Sequence, residues 1–158
     1  MIFHLEETGR WQPILDAWRK AKETIVTTNG AFDILHVGHM HLLQEAKACG
    51  SKLVVGLNSD RSVKTYKSAD RPIVPQDERA RMLMAIRYVD MVLLFDEPDN
   101  LRFVDAVRPA VHVKDATYGM NLIEGPTVRL HGGEIHLVEK DEHSTTNIIE
   151  KILHVYGK

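Results

Sequence analysis

The chain has 158 residues, 44% of them hydrophobic and 27% charged, the balance of one globular domain with a substantial core. A formal net charge of -2 leaves no global basic field to attract nucleic acid, and no apolar run approaches the ~20 residues that a membrane span needs. The single cysteine, Cys49, excludes an intrachain disulfide and a cysteine-built zinc cluster and fits a reducing cytoplasm, while Met1 to Arg10, with Glu6 and Glu7 and no apolar core, does not read as a signal peptide.

Trp11 to Lys22 reads as a helix, with Ile14, Leu15 and Trp18 on one face, within an N-terminal helical extension over residues 1–22. Ile25 to Thr27 is a short buried strand. Gly38 to Ala48 is a helix with Leu42, Leu43 and Ala46 inward, stopped by Gly50. A second strand covers Lys52 to Leu57, and a polar loop, Asn58 to Pro75, carries Lys64, Lys67 and Arg71. Gln76 to Tyr88 is a helix, Asp90 to Phe95 a third strand, and Leu101 to Val107 a short helix ended by Pro109. Strands at Ala110 to Lys114 and Glu134 to Val138 follow, and Ser144 caps a last helix carrying Ile148, Ile149, Ile152 and Leu153. Strands that alternate with helices predict an α/β fold, a Rossmann-like doubly wound parallel sheet of five strands, in a single domain over residues 1–158. In such sheets ligands bind beyond the carboxyl ends of the strands. Those ends fall at Thr28-Asn29, Asn58-Ser59, Asp96-Glu97, Lys114-Asp115 and Lys140.

The first of these ends opens Asn29-Gly30-Ala31-Phe32-Asp33-Ile34-Leu35-His36-Val37-Gly38-His39. His36 and His39 bracket Gly38 where a helix begins, and a helix start presents unpaired N–H groups to an anion. Gly38 lets backbone and phosphate approach closely. A metal held by His36, His39 and His41 is the rival, but no His-Glu-x-x-His pattern or cysteine partner supports it. The segment resembles the His-x-Gly-His signature of the cytidylyltransferase-like nucleotidyltransferases. That resemblance implies a triphosphate held by Asn29, Gly30, Ala31, Phe32 and Gly38, with His36 and His39 as catalytic groups at its phosphates. An acceptor phosphate attacks the α-phosphorus and pyrophosphate leaves. The nucleophile is already an anion, so the protein's work is positioning and charge stabilisation. Phe32 and Asp33 also have a structural reading, as a packed ring and a turn-fixing carboxylate.

The strand-end rule points to Lys64 first, as a catalytic cation, and Lys67 second, as a nucleotide contact. Arg71, Glu78 and Arg79 read as a salt-linked scaffold. Asn58-Ser59-Asp60-Arg61-Ser62-Val63-Lys64, the Arg71-Pro72-Ile73-Val74-Pro75 run and Ser144-Thr145-Thr146-Asn147-Ile148-Ile149 are similar to adenylyltransferases acting on D-glycero-β-D-manno-heptose 1-phosphate. By that resemblance Ser144 and Thr145 grip the triphosphate tail. Asp33, Lys114, Thr117 and Tyr118 hold the acceptor, Mg²⁺ arrives with ATP, and the protein is a cytoplasmic homodimer whose partners are ATP and a sugar phosphate. The heptose enzymes read Val-Lys-Gly-Gly-Asp-Tyr after the fourth strand, however, where this chain reads Val113-Lys114-Asp115-Ala116-Thr117-Tyr118. Ala31 replaces their usual cysteine. Ile86-Arg87-Tyr88-Val89-Asp90 is closer to glycerol-3-phosphate cytidylyltransferases and brings Arg87 in as a nucleotide contact. A cytidylyltransferase using glycerol 3-phosphate or another small phosphate therefore stays open, as does a nucleotide-binding regulatory module without turnover. His112, His131, His136 and His143 read as surface or packing residues, with His143 the one to test.

Overall fold

The computed structural model describes residues 1–119, 122–139 and 142–157, so the strand end expected at Lys140 lies outside the described residues. In chain order the elements are β1 (Ile2–His4), α1 (Thr8–Lys20), β2 (Ile25–Gly30), α2 (Val37–Ala48), β3 (Lys52–Asn58), α3 (Asp60–Tyr66), α4 (Gln76–Ala85), β4 (Met91–Phe95), α5 (Leu101–Val107), β5 (Val111–Asp115), a 3₁₀ turn (Ala116–Tyr118), α6 (Gly125–Leu130), β6 (Glu134–Val138) and α7 (Thr145–Tyr156). Among the described residues one parallel sheet runs in the order β1-β4-β3-β2-β5-β6. It has six strands where five were expected. The extra one comes from the supposed helical extension: Ile2, Phe3 and His4 pair with Val92, Leu93 and Leu94. A three-residue strand is too short to show a period of two.

Alternation along the strands splits the core between two faces. Leu53, Val55 and Leu57 of β3 and Val92 and Leu94 of β4 meet Leu43 and Ala46 of α2 and Ala80 and Leu83 of α4. Val54, Met91, Leu93 and Phe95 turn the other way, onto Trp11 and Leu15 of α1 and Phe103, Val104 and Val107 of α5. Strands covered on both faces carry near-continuous apolar runs, which is how they read in the sequence. At Gly56 a Cβ would lie 2.8 Å from Phe103 Cε1, so only glycine lets that ring sit on the strand backbone.

Two helices were not expected. Within the polar loop, Ser59 accepts a hydrogen bond from Ser62 N and caps α3, whose buried residues are only Ser62 and Val63. Such a helix has too little apolar face to declare itself. Helix α6 is six residues long and buries only Gly125 and Val128. The fourth helix stops at Ala85 because Ile86 turns extended, three residues before the expected end.

The connectivity locates the crevice. From β2 the chain builds β3 and β4 on one side, then crosses to β5 on the other. The segments leaving the carboxyl ends of β2 and β5 therefore diverge, and a cleft opens between them.

Candidate active site

A cleft of about 560 Å³ occupies that switch point. Most of the expected site residues line it: Asn29 to Asp33, His36, Gly38 and His39 from the β2 loop, Lys67, Lys114, Thr117 and Tyr118, and Ser144 and Thr145.

His36 is the N-cap residue of α2, in extended conformation, and its carbonyl accepts from His39 N at 3.0 Å and Met40 N at 3.2 Å. The first N–H groups of α2 thus remain available to a ligand. The His36 and His39 rings stack, 3.8 Å between centroids, and His39 also lies 5.1 Å from Phe32. Burial first, then the electrostatic influence of His36 and Lys67, lowers the His39 pKa to about 4. The ring is neutral at pH 7 in the protein alone, and a phosphate beside it would draw a proton on. A Cβ on Gly38 would stand 3.1 Å from both the His143 carbonyl oxygen and the His36 ring, so glycine lets the segment before α7 close over α2. Phe32 adopts a left-handed φ of 46°, uncommon for a side chain of that size. Its ring is held by burial at 2% exposure.

Asp33, expected at the acceptor, lines the cleft, and its carboxylate holds a neighbouring loop. It accepts from Val74 N at 2.8 Å, Ile73 N at 2.9 Å and Arg71 Nε at 2.7 Å. Burial opposes its ionisation, yet these donors keep its pKa below the usual range. Arg79 is fully buried and ties the ends of β2 and β3 to the loop that leads into α4. It donates to the carbonyls of Ala31, Asn58 and Val74 and pairs with Asp60 at 2.7 Å. The scaffold reading thus holds for Arg71 and Arg79, whereas Glu78 is exposed.

Two of the expected cations, Lys64 and Arg87, are not among the residues that line the cleft. Lys64 follows the buried Ser62 and Val63 on α3 and lies exposed outside the cleft, while Lys67, at the end of that helix, lines it. Arg87 precedes β4 and so sits at the amino end of the sheet, opposite the cleft. Its guanidinium stacks 4.9 Å from the Tyr88 ring and donates to the Tyr88 hydroxyl.

The β5 side of the cleft rests on a buried polar network. Lys114 donates to Asn29 Oδ1 at 3.0 Å and lies 4.4 Å from the Tyr118 ring centroid. Asn100 Nδ2 donates to Asn29 Oδ1 at 2.8 Å and to Glu124 Oε1 at 2.9 Å. His112 Nε2 lies 3.2 Å from the same Glu124 oxygen, and Thr27 Oγ1 lies 2.7 Å from His112 Nδ1. Asn100, His112 and Glu124 were not identified as site residues. They come from separate elements with no shared motif, and the only signal was a cluster of polar residues in apolar surroundings. Asp115 Oδ1 accepts from Thr117 N at 2.8 Å and Thr117 Oγ1 at 2.6 Å, so the carboxylate of the unusual loop stabilises its own 3₁₀ turn.

Ser144 caps α7 as expected, accepting from Asn147 N at 3.1 Å. Thr145 Oγ1 donates to Ile34 O at 3.3 Å, which fastens the start of α7 to the β2 loop. Two helix N-termini, those of α2 and α7, therefore flank one cleft. Two helix N-termini at one cleft suit a ligand with several phosphates.

A doubly wound parallel sheet with paired histidines at the first crossover is the architecture of a nucleotidyltransferase. The cytidylyltransferase-like family model matches residues 27–151, and the chain belongs to that family. It is 45% identical over 147 residues to the bifunctional protein HldE of Geobacter sulfurreducens, covering 92% of this chain and 30% of that one. Against HldE of Koribacter versatilis the identity is 48% over 136 residues, covering 85% and 28%. The chain thus spans about 30% of the length of these curated relatives. Among solved structures, the lipopolysaccharide core biosynthesis protein of Thermoplasma volcanium superposes with a TM-score of 0.60 at 26% identity, covering 77% of this chain and 99% of that one. Pantothenate synthetase of Thermus thermophilus shares the fold alone, with a TM-score of 0.59 at 16% identity over 85% of this chain and 65% of that one.

Proposed function

We propose that this chain transfers AMP from ATP to D-glycero-β-D-manno-heptose 1-phosphate, releasing pyrophosphate and ADP-heptose. The observation that carries the reading is the stacked His36–His39 pair at the start of α2, facing the Ser144 cap of α7 across one cleft. The triphosphate lies between the two helix starts, with its α-phosphate at the histidines. The sugar phosphate enters on the Lys114 side. One acceptor oxygen forms a bond to the α-phosphorus as the bond to the β-phosphate oxygen breaks, and the pyrophosphate carries the electron pair away. His36, His39 and the α2 N–H groups stabilise charge on the α-phosphoryl oxygens, and Lys67 balances the leaving pyrophosphate.

Around the cleft the carboxylates of Asp33, Asp99, Asp115 and Glu124 each accept hydrogen bonds from the protein. Magnesium enters as part of the Mg·ATP substrate, held by triphosphate and water. The same reading includes a cytoplasmic homodimer, and α7 leaves Ile152, Leu153, Val155 and Tyr156 exposed.

Pyrophosphate release from ATP, CTP, GTP and UTP, each with heptose 1-phosphate, other sugar 1-phosphates and glycerol 3-phosphate, tests the assignment. Turnover is expected for ATP with the heptose phosphate. Turnover only for CTP with glycerol 3-phosphate would replace the reading with a polyol cytidylyltransferase. ATP binding without pyrophosphate from any acceptor would make the chain a sensor.

A further inference from the structure

Lys114 is a buried cation at the end of β5, with a side chain only 10% exposed. Its ammonium has three N–H groups, and Asn29 Oδ1 takes one at 3.0 Å. Among the described residues, the other groups around it are Glu124 at the start of α6, Asp115 next on its own strand, the Tyr118 ring on the 3₁₀ turn and His112 two residues earlier. Glu124 Oε1 is 3.9 Å from Lys114 Nζ, near enough to balance its charge but too far to occupy an N–H. Capacity to bind a phosphate oxygen is thereby left.

The remainder of the network decides where the Glu124 charge goes. Burial disfavours the carboxylate, but hydrogen bonds from His112 and Asn100 bring its pKa down to about 2. An ionised carboxylate only accepts, so His112 carries its proton on Nε2 and donates it. His112 Nδ1 is then an acceptor, and the Thr27 hydroxyl donates its hydrogen bond to it. Burial keeps His112 neutral, since its pKa is lowered. Among the described residues, the one positive charge within reach of the Glu124 oxygen is therefore that of Lys114. A buried lysine without a counter-charge gives up its proton.

We propose that Glu124, fixed by His112 and Asn100, is a positioning residue that keeps Lys114 charged and aimed at the phosphate of the acceptor. The acceptor's identity rests on the transferase reading above, whereas the pairing with Lys114 does not. Asn100 is shared between Glu124 and Asn29, so the same network also sets the residue that opens the histidine loop.

Glu124→Gln keeps the volume and an acceptor for Asn100 and His112 and removes the charge. In steady-state kinetics the acceptor KM is expected to rise about tenfold while the ATP KM changes less than about twofold. The alkaline limb of kcat/KM for the acceptor is expected to move to lower pH, with part of the loss recovered by acidification. A second arm needs no turnover. Acetylation of Lys114 by acetic anhydride, followed by mass spectrometry across pH, is expected to reach half its limiting rate at a lower pH in Glu124→Gln than in the unaltered chain. If the unaltered chain releases no pyrophosphate with any acceptor, the transferase reading fails, and the labelling still decides the role of Glu124. Unchanged Lys114 labelling in a folded variant, or a parallel rise of both KM values with a lowered Tm, would reduce Glu124 to a support for α6.

Discussion

His39 shows how a side chain suited to the reaction burdens the fold. Its pKa falls from 6.5 to about 4, chiefly through burial and then through His36 and Lys67. The folded protein therefore resists a proton that the unfolded chain accepts. As pH falls from about 6.5 towards 4 this residue costs roughly 1.4 kcal/mol of stability per pH unit. His39→Gln is expected to lower turnover by at least about two orders of magnitude, on the scale of losing one oxyanion donor, while its unfolding midpoint in urea at pH 5 exceeds that of the unaltered chain. Saturating ATP sets an anion beside the ring and is expected to flatten the unaltered chain's stability loss between pH 6.5 and 4. A variant that is less stable at pH 5 would refute this account. The sequence announced His36, Gly38 and His39 because they share one local motif at a helix start. A strand-end rule names a loop but not the direction of each side chain, and one helical turn separates Lys64, outside the cleft, from Lys67, which lines it, whereas Arg87 came from a resemblance in the Ile86–Asp90 segment that fixes no position relative to the cleft.

Among the elements, α7 links the fold to the site most directly. Ser144 Oγ accepts from Asn147 N, so its O–H remains able to donate to a phosphate. Ser144→Ala removes both functions. It is expected to cost about 1 kcal/mol of stability and to raise the KM for ATP severalfold, leaving the acceptor KM nearly unchanged. A variant with the stability loss but an unaltered ATP KM would make Ser144 a cap alone. Helices with an apolar stripe at helical spacing, such as α1 with Trp11, Ile14, Leu15 and Trp18, and strands buried on both faces were readable from periodicity. Segments anchored by polar contacts were not: α3 is held through Ser59, Ser62 and Asp60, and α6 through the buried Glu124 at its start. Long-range hydrogen bonds leave no period in a sequence.

For the molecule as a whole, acid stability follows from which groups are buried. Below the His39 range a second loss begins, because the Glu124 pKa is held at about 2 against an ordinary 4.5 and Asp33 is lowered too. Their contribution is present above pH 4.5 and disappears as pH falls towards 2. ATP is not expected to change this lower range, since both carboxylates are satisfied by the protein itself.

The pairing of β1 with β4 has a consequence for how copies of the chain avoid one another. Ile2 and Val92 are neighbours in the sheet but 90 positions apart in the sequence, so β1 can dock only after β4 has been laid down. Until then Met91-Val92-Leu93-Leu94-Phe95, uncharged, apolar and entirely buried in the finished fold, is an open sheet edge. Such an edge is a template for intermolecular strand addition. The three residues of β1 thus act as a selvedge for the sheet. A variant lacking residues 1–7 is expected to form aggregates on refolding by light scattering under conditions where the full chain remains clear.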